Sequence, residues 1–108
     1  GDEGSTNSPL ASTNTRAFQI AVTTNSAITD NAESTGFLVN NNETSTSSVV
    51  IGTVSSAVNS SAADILSQGG IEVYAHTLTS SSFKFTLVNR TGAVIAADSV
   101  ITINFVLL

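Results

Sequence analysis

From Ile71 to Leu108 the sequence alternates apolar and polar residues with a period of two. Ile71, Val73 and Ala75 alternate with Glu72, Tyr74 and His76. Phe83, Phe85 and Leu87 alternate with Lys84, Thr86 and Val88, and Ile101, Ile103, Phe105 and Leu107 line one side of a final run. Successive side chains of a strand point to opposite faces, so this spacing buries one face of each segment; a helix would need apolar residues three and four apart. The segments are separated by Ser80-Ser81-Ser82, by Asn89-Arg90-Thr91-Gly92 and by Ala97-Asp98-Ser99, residue types that favour turns. The same period appears earlier in Phe18, Ile20 and Val22, and shorter apolar runs occupy Gly36–Val39 and Ser47–Val54. Short strands every 8 to 12 residues predict an all-β fold, an antiparallel β-sandwich of plain or jelly-roll type with about seven to eight strands. Ala93–Ala96 is expected as one of the short strands. Gly52, inside a β-branched run, predicts a bulge or a close approach of neighbouring groups.

One helical turn is expected near residues 62–68, where Ser61-Ala62-Ala63-Asp64 has the form of a capping box and Gly69-Gly70 supplies a stop. Residues 1–16 are polar, contain the sole proline, Pro9, and show no periodicity. They are read as an extended N-terminal arm, and residues 17–108 as a single domain, since 108 residues hold one ordinary core.

Charge decides which functions can be set aside. Only 10% of residues are charged, against roughly 25% in an average domain. Ser, Thr and Asn fill 42 of the 108 positions, so hydroxyls and amides carry the solubility. The net charge is −5, with Arg16, Lys84 and Arg90 the three basic residues. Phosphate neutralisation needs clustered cations, so no nucleic-acid partner is expected. No apolar run reaches the length of a membrane-spanning helix, and no membrane insertion is expected. Without cysteine there is neither a disulfide nor a thiolate metal site.

Candidate chemistry is sparse. His76 is the sole histidine and lies on a predicted strand, where a structural role outweighs general-base catalysis. The eight acids, Asp2, Glu3, Asp30, Glu33, Glu43, Asp64, Glu72 and Asp98, show no spacing that pairs two carboxylates for hydrolysis. Asp30-Asn31-Ala32-Glu33 and Asn40-Asn41-Asn42-Glu43 are rich in oxygen ligands but lack a calcium-loop pattern, and they are read as solvated loops. The expectation is therefore a protein that is not an enzyme, with no catalytic residues, no metal and no cofactor. Tyr74 is the one aromatic residue that alternation places outward, and Tyr74 with His76 forms the candidate surface-binding pair. Val100-Ile101-Thr102-Ile103-Asn104-Phe105-Val106-Leu107-Leu108 is apolar on both faces toward its end. It is expected to be a central strand of the monomer or to be covered by a neighbouring subunit, because an exposed strand of this kind invites edge-to-edge aggregation. The candidate assembly residues are Val100, Ile101, Ile103, Phe105, Val106, Leu107 and Leu108.

The segment Ser82-Phe83-Lys84-Phe85-Thr86-Leu87-Val88-Asn89-Arg90-Thr91-Gly92-Ala93, followed by Asp98 to Phe105, resembles the C-terminal ends of bacteriophage virion proteins. In fibre tips, head fibres and capsid-decoration subunits a strand leads through an N-x-T/S-G turn into a final strand. The resemblance covers Ser82–Leu108 and implies a virion location and a homo-oligomer, a trimer being favoured. Its partners would be other copies of the chain and a capsid or tail protein. An extracellular filament or adhesin subunit, completed by N-terminal strand addition onto a neighbouring filament protein, is the alternative. A small carbohydrate-binding module meeting a cell-surface glycan is the third.

Overall fold

A computed structural model describes residues 11–61, 63–65 and 68–108. Each alternating run becomes a strand, and the register shows why the alternation matters. β1 spans Ala11–Thr13, β2 Ala17–Thr23, β3 Phe37–Asn41, β4 Val50–Val58, β5 Ile71–His76, β6 Ser82–Asn89 and β7 Val100–Leu107. Six of them form two antiparallel sheets, β3-β6-β5 and β2-β7-β4, and short β1 adds in parallel to the β3 edge. The two sheets face each other across one core, which makes the protein an all-β sandwich.

β7 lies in the middle of its sheet. Phe18, Ile20 and Val22 of β2 stand opposite Phe105, Ile103 and Ile101. On the other side Val50, Gly52, Val54 and Ala57 of β4 stand opposite Leu107, Phe105, Ile103 and Ile101. The step from Val54 to Ala57 is three residues, not two. A bulge between Val54 and Ser56 absorbs the extra one, leaving Ser55 and Ser56 in solvent and returning Ala57 to the core. Gly52 supplies the expected close approach: a Cβ there would lie 2.7 Å from the Phe105 ring and 2.8 Å from Val73. The second sheet presents Phe37, Val39, Phe83, Phe85 and Leu87 to the same core. Phe105 joins the layers, with ring centroids 5.4 Å from Phe18, 5.4 Å from Phe83 and 5.1 Å from Phe85, distances at which aromatic pairs attract beyond their buried area.

Two local expectations are corrected. The helical turn near 62–68 is not built around Ile65. The Asn59 side chain accepts the N–H groups of Ser61 and Ala63 at 2.9 and 3.1 Å, which folds the chain back sharply. Asp64 then bridges to Val58, and Ile65 N–H donates to Ala57 at 2.9 Å. The 3-10 turn comes later, at Gln68–Gly70; residues 62, 66 and 67 lie outside the described residues. Ala93–Ala96 is likewise not a strand: it retains a single bridge, Ile95 to Ile28, because side chains of Asn89 and Thr24 take the Ala93 and Ala96 carbonyls. Of the polar arm 1–16, Ala11–Thr13 pairs with Val39–Asn41, and residues 1–10 lie outside the described residues. Asn41 fixes the connection to β2 by donating to the Thr15 carbonyl at 2.7 Å.

Candidate functional site

Strand alternation turns Glu72, Tyr74 and His76 away from the core, on the outer face of the β3-β6-β5 sheet. Opposite them on β6 stand Val88, Thr86 and Lys84. Glu33 bridges to Val88 from the loop that precedes β3, and Arg90 follows the end of β6. Together they border an open concavity of about 780 Å³, lined by Asn31, Glu33, Tyr74, His76, Thr86 and Arg90 among others. Tyr74 and His76, paired from sequence, both line this concavity. Asn31, Glu33 and Arg90 were not anticipated as part of it, because they come from loops whose pairing alternation does not report.

His76 is fully engaged. Its Nδ1 lies 2.9 Å from Thr77 Oγ1 and its Nε2 2.8 Å from Thr86 Oγ1. A ring held at both nitrogens by hydroxyls positions Thr86 and Thr77. Thr77 has φ 54° and Asn31 φ 63°, both in the left-handed region. For a β-branched threonine that conformation is strained, and such strain gathers at functional sites. Arg90 Nη1 donates to Asn31 Oδ1 at 3.2 Å, spanning the concavity's rim.

Tyr74 is 53% exposed, and its hydroxyl donates to Glu72 Oε2. That hydrogen bond holds the Tyr74 pKa above the ordinary 10.0, and repulsion between a tyrosinate and the Glu72 carboxylate adds to the effect. Tyr74 is the chain's one tyrosine and there is no tryptophan, so phenolate absorbance reports it alone. An absorbance titration is expected to place its midpoint above that of a free tyrosine, and Glu72→Gln to bring it back. Because the folded-state pKa is the higher one, the pair's contribution to stability is complete below the unfolded tyrosine range. It is lost as pH rises through the folded-state value.

The loops read as solvated are used for structure. Asp30 Oδ1 accepts the Gly92 N–H at 3.0 Å, and Asn41 Oδ1 accepts the Glu43 N–H at 2.9 Å. Among the described residues no three His, Cys, Asp or Glu side chains gather to hold a metal ion.

The candidate assembly strand divides in two. Ile101, Ile103, Phe105 and Leu107 are inside the sandwich and Val100 is half-buried, whereas Val106 and Leu108 face outward. Val106 stands between Ala17 and Ile51, and Leu108 exchanges backbone hydrogen bonds with Val49. Val49, Ile51, Val106 and Leu108 are 55, 47, 41 and 65% exposed. They form an apolar patch at one end of the outer face of the β2-β7-β4 sheet. Comparison with protein-family models, with curated proteins and with solved structures gave no match.

Proposed function

We propose that the chain is a non-enzymatic structural module of a virion, decorating a capsid or forming a fibre tip, and that its copies associate through the outer face of the β2-β7-β4 sheet. The observation that carries this reading is the patch of Val49, Ile51, Val106 and Leu108. Of the six large hydrophobic side chains exposed among the described residues, four sit there; contiguous apolar surface of this kind marks interaction sites, whereas scattered residues do not. The low charge and the resemblance of Ser82–Leu108 to virion C-termini support the virion setting, with a trimer as the favoured oligomer. Light scattering after size exclusion is expected to give a closed oligomer. The double variant Ile51→Glu, Val106→Glu should run as a folded monomer, since burying two unpaired carboxylates costs more than the contact gains. A wild-type monomer at concentrations of about 100 μM, well above a micromolar dissociation constant, would remove the reading.

One observation favours the alternative of an extracellular filament. β1 pairs with β3 over three residues, Ala11–Thr13 against Val39–Asn41, and joins β2 through Asn14, Thr15 and Arg16. A strand tethered in this way is suited to exchange between neighbours by strand addition. Open-ended polymers that disappear when residues 1–16 are deleted would select this alternative.

A further inference from the structure

The chain has one tyrosine, one histidine and three basic residues. The tyrosine, the histidine and two of the three bases, Lys84 and Arg90, stand on or beside the outer face of a single sheet. In a sequence that is otherwise mostly hydroxyl, amide and aliphatic, this concentrates the side chains able to make directional contacts in one place. From their arrangement we infer that the concavity bordered by Tyr74, Glu33 and Arg90 binds a neutral pyranose unit of a glycan.

The chemistry of the lining selects the ligand class. Tyr74 offers an exposed ring whose hydroxyl is bonded to Glu72, a flat apolar platform for the C–H face of a sugar ring. Around it lie an acceptor, the carboxylate of Glu33, and donors, the guanidinium N–H groups of Arg90 beyond the one given to Asn31. Each sugar hydroxyl both donates and accepts. Neighbouring hydroxyls are therefore met by a carboxylate next to a guanidinium better than by groups of one sign. An anionic ligand would meet Glu33, and a cationic one Arg90. A wholly apolar ligand would desolvate both. The site is open, so it grips a unit within a chain rather than enclosing a small molecule, and single-site affinity is weak. This inference does not rest on the assembly reading, although several copies would raise avidity for a polymer.

Tyr74 fluorescence reports the site without interference because tryptophan is absent. The intact protein is titrated separately with cellohexaose, maltohexaose, chitohexaose and mannohexaose to about 10 mM, which reaches millimolar dissociation constants. At least one is expected to give a saturable change. Glu33→Gln and Arg90→Met alter exposed side chains, keep the Tyr74 reporter and should each weaken that binding about tenfold, the loss of one charge-assisted hydrogen bond. Thr53→Ala, exposed on the other sheet, should leave it unchanged. No saturable change with any of the four sugars overturns the inference, as does binding that neither Glu33→Gln nor Arg90→Met weakens. The fluorescence change reads occupancy at Tyr74 itself, so the outcome is separate from whether the protein oligomerises.

Discussion

Replacing Asn89 by alanine is expected to lower stability by about 2 to 3 kcal/mol, read as a drop in urea midpoint with the slope of the transition unchanged. Asn89 is fully buried, and its amide is fully used. Nδ2 donates to the Ile28 carbonyl at 2.8 Å and to the Ala93 carbonyl at 2.7 Å. Oδ1 accepts the Thr91 N–H at 3.0 Å and the Thr91 hydroxyl at 2.7 Å. The backbone of Asn89 also pairs with Asn31 and Ala32. One side chain thus clips the loop before β3 and the turn after β6 onto the end of β6. Alanine would remove four hydrogen bonds at once, but the Ile28 carbonyl keeps the Ile95 N–H and the Ala93 carbonyl keeps the Thr91 hydroxyl. The main cost is the Thr91 N–H left without its acceptor, and an unsatisfied group costs about 1 to 3 kcal/mol. Since Asn31, Glu33 and Arg90 hang on the same clip, loss of Asn89 should also loosen the concavity.

Alternation reported faces, and faces were enough for much of this protein. The inward rows of β5, β6 and β7 follow directly from Ile71–Ala75, Phe83–Leu87 and Ile101–Leu107, as does the outward setting of Tyr74 and His76. Alternation cannot say which strands are neighbours. The meeting of Arg90 with Asn31, 59 residues apart, left no local trace, so only part of the candidate site could be read. Side-chain competition for the backbone explains the other differences. Asn59 and Asn89 each satisfy backbone groups that a helix or a strand would have claimed, and this is the mechanism by which asparagine favours turns. The turn around Asn89 was legible as Asn-Arg-Thr-Gly; its burial was not, because nothing in a polar tetrapeptide distinguishes a solvated turn from a clip between loops.

Phe105→Ala and Val106→Ala are neighbours in sequence with opposite expected outcomes, and the contrast tests the division of β7 directly. Phe105 is buried between Phe18, Phe83 and Phe85, and its ring fills the space that Gly52 leaves open. Alanine there would remove aromatic contacts with both sheets. The resulting cavity cannot collapse easily, because β7 is held by β2 on one side and β4 on the other. A loss of about 3 to 5 kcal/mol is expected for such a truncation, a large share of the 5 to 15 kcal/mol, roughly, that a domain possesses. Val106 points outward, and its truncation should change monomer stability by no more than about 0.5 kcal/mol. Urea unfolding of the two variants, begun from the monomeric Ile51→Glu, Val106→Glu background for Phe105→Ala and from dilute wild type for Val106→Ala, separates folding from association. A Phe105→Ala protein that unfolds near the midpoint of its parent would mean that the inner row of β7 is not the monomer's core. A Val106→Ala protein as unstable as Phe105→Ala would mean that the outer face is buried within the monomer, leaving no apolar patch for a neighbouring copy.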